Sequence, residues 1–339
     1  MAAVETRAAA QRERELAALR DGAALSPLSE RAILLARGSD RASFLQGMLS
    51  NDVASLSPGR GTYALLLTEQ GRVVAELYVL SFAEVIWLEL PAAARNDVRA
   101  ALERFIVADD VELEDLAVHG FAVRGPDAAR ALGSVATAQA AALTELPESA
   151  HLELVYGGGT IHAARVRDHG GDGFHLWSDE PDRLDALAVA LLASGVVPVS
   201  DDVLEIERIT RGWARAGADY DAQTLAAEVP SFVRSVSYRK GCYLGQEVME
   251  RIAARGHVNW LLVRLTGGTG SSFSVGAKVT DEGAEVGKVT SVAELPEHRG
   301  GVVALARVRA AVATAGRRLT VVDGGSETAV EVATIPVAG

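Results

Sequence analysis

Apolar and polar positions follow two different periods along the 339 residues, and the period changes where the element does. "YALLLT" (63–68) and "RVVAELYVLSF" (72–82) are apolar runs around Glu69-Gln70-Gly71, and "VIWLEL" (85–90) follows at once, so three neighbouring strands are predicted. "PAAARNDVRAALERFI" (91–106) then sets Val98, Leu102 and Phe105 or Ile106 at helical spacing. The same order returns in "HLELVYGGGTIHAARVRDHGGDGFHLWS" (151–178), strands broken by glycine turns, and in "PDRLDALAVALLASG" (181–195), a helix opened by Pro181 and closed by Gly195. From Trp260 onward five or so short strands with glycine turns, among them "WLLVRLTGGTG", "GVVALARV" and "RLTVVDGG", predict a small β-barrel or sandwich.

The fold class expected is therefore α+β: two strand-and-helix modules and a C-terminal barrel. The boundaries read as a helical extension over 1–24, a first module over 25–118, a second over 119–200 and the barrel over 260–339. The stretch 201–259 is expected to complete the first module. "ETRAAAQRERELAALR" (5–20) mixes acids with arginines and reads as a solvated helix stopped at Asp21-Gly22, not as a targeting segment.

Composition narrows the class. Forty-five acidic residues against 33 basic ones, net −12, argue against a direct nucleic-acid binder that works by neutralising phosphates. No apolar run is long enough to span a membrane, and a single cysteine cannot form an internal disulfide, so a cytoplasmic chain is expected. The seven histidines form no i, i+4 pair and the cysteine has no partner at zinc-finger spacing, so no metal site is predicted. "GAEVGKVT" fails the phosphate-loop pattern, with three residues between its glycines and Val289 after Lys288, and reads as a hairpin turn. Asp201-Asp202 reads as the first turn of a helix with Ser200 as N-cap.

The chemistry concentrates in "YRKGCYLGQEVMER" (238–251), which holds the one cysteine. Lys240, Arg239 and the backbone N–H groups around Gly241 and Gly245 would stabilise a Cys242 thiolate, while Gln246 and Glu247 supply an amide and a carboxylate one turn on. Such a thiolate is a nucleophile or a soft-metal ligand. A buried, inert thiol is the plainer alternative.

"KGCYLGQE" (240–247) resembles the signature of the YgfZ family, folate-binding proteins linked to assembly and repair of iron–sulfur clusters. "FLQGMLSNDVASLSPGRGTYALLLTEQGRV" (44–73), "QEVMERIAARGHV" (246–258) and "VGKVTSVAE…GVVALARV" resemble further segments of that family, so the likeness runs over about residues 28–310. The family is similar in fold to the glycine-cleavage T protein, an aminomethyltransferase that uses tetrahydrofolate, with two α+β modules and a barrel around a folate channel. The resemblance implies a cytoplasmic accessory protein that binds tetrahydrofolate or a one-carbon derivative, with Cys242 as the working thiol and Lys240 keeping it anionic. It also implies iron–sulfur assembly proteins and client enzymes as partners, and at most a transient cluster, since one cysteine would need ligands from elsewhere. The alternative is a folate-dependent one-carbon transferase of the T-protein type. T proteins carry an Asp-Asp pair where this chain reads Gly71-Arg72-Val73-Val74-Ala75-Glu76, which leaves one carboxylate, Glu76. They carry a Glu where this chain has Thr210, in Arg208-Ile209-Thr210-Arg211-Gly212. Arg208, Arg211 and Arg251 are candidates to pair with a folate glutamate, or are ordinary ion pairs. Tyr63, Tyr243 and Trp213 are candidates to stack on a folate ring, or are core.

Overall fold

The structure, a computed structural model, describes residues 2–169, 171–256, 258–295, 300–333 and residue 335; His257 and His298 of the histidine set lie outside the described residues. In chain order it contains α1 (Ala2–Asp21), β1 (Ala24–Pro27), β2 (Arg31–Arg37), α2 (Arg41–Met48), β3 (Gly61–Leu67), β4 (Val73–Ser81), β5 (Ile86–Pro91), α3 (Arg95–Glu103) and β6 (Glu112–Leu116). Then come β7 (His119–Arg124), α4 (Ala128–Val135), α5 (Ala140–Glu145), β8 (His151–Tyr156), β9 (Gly159–Asp168), β10 (Gly171–Ser178), α6 (Pro181–Ala193), β11 (Val197–Pro198), α7 (Asp201–Arg211) and α8 (Gln246–Arg255). The last strands are β12 (Trp260–Gly267), β13 (Lys278–Asp281), β14 (Ala284–Glu294), β15 (Val302–Arg309), β16 (Arg318–Asp323) and β17 (Ser326–Ala333).

One sheet runs β3-β4-β5-β2-β6, a second runs β11-β1-β7-β10-β9-β8, and β12 to β17 close into a barrel in the order β12-β15-β14-β13-β16-β17. β1 falls in the stretch assigned from sequence to the first module, yet it pairs with β7 and β11 of the second sheet. The predicted hairpin at "GAEVGKVT" is the β13–β14 turn, where Glu282 and Gly283 take φ +48° and +85°. Val98 and Leu102 on α3 are fully buried, as their spacing requires.

Strand periodicity explains why the sheets read as almost unbroken apolar runs. Each has helices on one face and the molecular centre on the other, so both parities are buried. On β4, Ala75, Leu77 and Val79 meet α2 and α3, while Val73, Tyr78 and Leu80 face the centre, and Glu76 shares their parity. On β10, Phe174 and Leu176 meet the second sheet's helices, while Trp177 and its parity-mate His175 face the centre. The same rule points Arg31, Glu89, Arg124 and Asp168 inward from β2, β5, β7 and β9.

Two local readings are corrected. The N-terminal helix is not simply solvated: Glu15, Leu16, Ala18 and Leu19 are buried, the three apolar ones in the central core. Ser200 precedes α7 but its hydroxyl makes no cap; its N–H and Oγ–H both donate to Glu15 Oε2 at 2.9 and 2.7 Å, so the carboxylate of α1 serves that helix end.

Candidate functional site

Because six charged side chains share the inward parity, the centre holds a continuous polar network. Arg31 pairs with Glu76 and, at 3.2 Å, with Glu89 Oε1. His175 Nδ1 lies 2.5 Å from Glu89 Oε1 and its Nε2 lies 2.8 Å from Asp168 Oδ2. Trp177 Nε1–H donates to Glu89 Oε2 at 3.2 Å, Arg124 pairs with Asp168, and its Nε–H donates to Ser26 Oγ at 3.0 Å. Three carboxylates face two guanidiniums, so a neutral His175 would leave one buried negative charge uncompensated; the imidazolium closes the balance and can donate from both nitrogens. Burial alone would lower the His175 pKa, but Glu89 and Asp168 outweigh it and the pKa is raised. Burial works upward on both acids, yet His175 with Arg31 holds Glu89 below its ordinary value, and Arg124 with His175 holds Asp168 well below.

Beside this network lies a cavity of about 610 Å³, a size suited to a compact organic ligand. Glu76, Tyr78, Asp168, His169, Arg208 and Trp213 are among its lining residues. Tyr78 is fixed by its hydroxyl, which donates to Arg167 O at 2.6 Å, and its ring stands 5.0 Å from that of Tyr63. The Arg234 guanidinium lies 4.5 Å from the centroid of Tyr63 and 4.9 Å from that of Trp213, tying these aromatics together.

The candidates from sequence divide between two places. Glu76 and Arg208 line the cavity; Tyr63 is buried against Tyr78 and Trp213, its hydroxyl without a hydrogen-bond partner among the described residues. Arg208, however, has no donor to offer a ligand tail. Its Nε–H goes to Glu205, Nη1 serves Trp213 O and Asp219 Oδ2, and Nη2 serves Glu205 and Ser291 Oγ, which uses all five N–H groups. It is a strut joining α7 to the following loop and to β14. Arg211 is engaged with Glu207 at 2.6 Å, and Arg251 stands exposed on α8.

None of Lys240, Cys242, Tyr243, Gln246 and Glu247 lines the cavity; the signature docks on the first sheet and α2. Lys240 Nζ donates to the carbonyls of Gln46, Leu49 and Asn51 at 2.5, 2.6 and 3.0 Å, so it satisfies the end of α2 and the turn after it instead of activating a thiolate. Burial pushes its pKa down to about 8, with Asp52 opposing, so it is still cationic at neutral pH. Gly245, at φ +82°, opens α8 where an added Cβ would stand 2.5 Å from Thr68 O, so the close approach there is backbone on backbone. Tyr243 is core under the Lys240 ammonium, 5.1 Å from its ring centroid, not a free stacking surface. Gln246 is spent on Tyr243 N–H and Glu250, whereas Cys242 and Glu247 are exposed.

Sequence reasoning missed Arg31, Glu89, Arg124, Asp168, His169 and His175. The available signal was a charged residue on one parity of an otherwise apolar strand, as in "AELYVL" and "FHLW".

Two helix-backed sheets that face each other over a charged cavity, with a closed barrel beside them, define a class of protein as well as a site. Residues 4–233 match the GCVT N-terminal domain family, and the chain belongs to that family. It is 30% identical over 322 residues to an aminomethyltransferase of Synechococcus sp. (strain RCC307), covering 93% of this chain and 87% of the relative. It is 28% identical over 328 residues to an aminomethyltransferase of Geobacillus kaustophilus (strain HTA426), covering 94% and 88%. Its fold matches the glycine cleavage system aminomethyltransferase T of Bartonella henselae with a TM-score of 0.83 at 23% identity, over 96% of this chain and 89% of that one. Among the described residues no helix is long and apolar enough to cross a membrane.

Proposed function

We propose that this chain binds tetrahydrofolate, or a one-carbon derivative of it, in the cavity between the sheets and acts as a folate-dependent one-carbon transferase of the aminomethyl type. The observation that carries this is the central cavity of about 610 Å³, walled by Tyr78 and Trp213 and edged by Glu76, in a GCVT chain whose relatives are named aminomethyltransferases. Trp213, half-buried on the wall, offers a face to a planar heterocycle, Tyr78 closes the wall as a buried ring, and the Glu76 carboxylate, oriented by Arg31, is placed to accept an N–H from its edge. Arg215, half-exposed on the wall, is better placed for a folate glutamate than Arg208, because it spends one nitrogen on Glu205 and keeps the others. The test is turnover of an aminomethyl or methyl donor with tetrahydrofolate as acceptor. Folate product should form, fall sharply in Glu76→Gln, and persist in Cys242→Ser. Absence of turnover together with absence of folate binding would defeat the reading.

The exposed Cys242 favours a second reading, an accessory role in assembly or repair of iron–sulfur proteins, with assembly factors and client enzymes as partners and any cluster held only transiently. Replacing the chromosomal copy with Cys242→Ser and assaying iron–sulfur enzymes, such as those that thiolate tRNA, separates the two. Lost client activity with intact folding and folate binding supports the accessory role; retained activity leaves the transferase. Both readings take the cytoplasm as the compartment, with neither nucleic acid nor membrane contacted directly.

A further inference from the structure

The barrel packs on the rest of the molecule through one face, where Leu262, Ala293, Val303 and Leu305 join the central core. That strand parity continues past the contact as Trp260 on β12 and as Arg307 and Arg309 on β15. Trp260 stands opposite Arg309 and Lys288 of β14 opposite Arg307, so Lys288 and Arg309 are diagonal neighbours about 7–8 Å apart at the backbone. The segment 217–221 after α7 covers this face and bounds with it a second cavity, of about 400 Å³, which shares Tyr220 with the wall of the central one. The acids around it are already engaged. Asp219 accepts from Arg208, Thr290 and Ser291 at 2.6, 2.6 and 2.7 Å, and Glu285 pairs with Lys278 at 2.8 Å. Asp221 accepts from Gln223 N–H and Thr224 Oγ1–H of its own turn at 2.9 and 3.0 Å, while Arg307 is paired with Glu228 at 2.8 Å. Lys288 and Arg309 are different: both are exposed, and among the described residues neither side chain makes a hydrogen bond or an ion pair. Arg309 is nevertheless held in place, its guanidinium 4.1 Å from the centroid of the Trp260 ring. A guanidinium fixed against an indole face keeps its N–H edge for an anion.

We propose that this cavity is a second ligand site, which takes a small organic phosphate with its phosphoryl group held between Lys288 and Arg309 and its body under the 217–221 segment. Two cations without partners in a concave site hold an anion that the rest of a chain of net −12 repels. A phosphoryl dianion offers oxygens to a planar fork and to a point charge at once, whereas a single carboxylate is satisfied by Arg309 and leaves Lys288 unused. The volume suits a phosphate ester better than inorganic phosphate, which would leave most of it empty. The site stands whether or not the central cavity holds a folate.

The experiment follows the indole N–H signals of full-length protein labelled with ¹⁵N-tryptophan; there are four tryptophans, and Trp260→Phe identifies the signal of interest. At constant ionic strength the protein is titrated separately with ribose 5-phosphate, adenosine 5′-monophosphate, inorganic phosphate, succinate and an oligoglutamate peptide. The Trp260 signal should move saturably with the two esters, half-saturating below about 1 mM, more weakly with inorganic phosphate, and stay still with succinate and the peptide. Lys288→Gln and Arg309→Gln should each weaken ribose 5-phosphate binding about tenfold, the loss of one charged contact, with thermal midpoints unchanged because both side chains are exposed. Arg318→Gln removes the same charge from an exposed position on β16 and should leave the affinity as it is. A Trp260 signal that ignores both esters, or ester binding that Lys288→Gln and Arg309→Gln weaken no more than Arg318→Gln does, would overturn the proposal. So would saturable binding of the peptide without the esters, which would make the face a docking surface for an acidic partner chain.

Discussion

Replacing His175 by leucine removes the imidazolium that stands between Glu89 and Asp168 and keeps an apolar side chain of similar reach. Glu89 keeps Arg31 and Trp177, and Asp168 keeps Arg124, but three carboxylates are left with two guanidiniums in the centre of the molecule. Breaking a buried charge pair from one side costs about 3–5 kcal/mol. The cheaper escape is for one carboxyl to take up a proton, which from an ordinary value near 4 costs about 4 kcal/mol at pH 7 and about 1.5 kcal/mol at pH 5. The variant should therefore lose about 3–4 kcal/mol at pH 7 and recover at least half of it at pH 5. Wild-type His175, with its raised pKa, contributes stability that is complete below the ordinary imidazole value near 6.5 and is lost as pH rises through its folded value, so the penalty is read as the difference between the two proteins at each pH. Urea titrations of both proteins at pH 7 and pH 5, followed by near-ultraviolet circular dichroism, measure the difference directly. His175→Gln, which can still donate one N–H, should fall between them. Equal stability of His175→Leu and wild type at pH 7, or a penalty that does not change with pH, would refute the imidazolium assignment.

Other consequences are equally open to measurement. Lys240→Met should cost about 2 kcal/mol in urea unfolding, because three carbonyls around the end of α2 lose a charged donor, while Cys242 stays just as reactive to a small thiol reagent. If Lys240 did activate the thiol, the labelling rate would fall instead. The lowered pKa of His169 makes the unfolded chain bind a proton first, so its contribution to stability is complete above about pH 6.5 and is lost as pH falls toward 4. Relative to wild type, His169→Asn should gain about 2 kcal/mol between pH 6.5 and pH 5, and a parallel pair of stability curves would contradict this. Glu15→Ala unties Ser200 from α1 and should lower stability by about 1–2 kcal/mol, with hydrogen exchange rising first at the start of α7.

Much of the architecture was legible because it depends on local period. The β3–β4–β5 meander, α3, α6 and the barrel strands follow from spacing and turn residues that lie within a few positions of each other. The charged centre was not, because its members come from six strands of two sheets and meet only through long-range pairing. Arg31 reaches Glu89, and Glu89 reaches His175, across 58 and 86 residues of chain. Residue type also misled where the partner decides the role. Lys240 and Arg208 were read by the charge they carry, yet their donors are consumed by backbone carbonyls and by Glu205 and Asp219, which a linear pattern does not reveal. Glu76 was found by resemblance to T proteins, and its strand parity alone would have pointed to the same place. The signature glycine Gly245 was read only for the N–H groups around it, whereas the structure sets it against the backbone of Thr68.

The central claim is that the cavity beside Glu76 and Tyr78 holds a folate, and Trp213 on its wall supplies a reporter. Under anaerobic conditions, tetrahydrofolate should quench the protein's tryptophan emission saturably, with most of the quench absent in Trp213→Phe and the affinity reduced about tenfold or more in Glu76→Gln. A linear, non-saturating response in wild type, or a quench indifferent to both substitutions, would place any folate elsewhere and contradict the account.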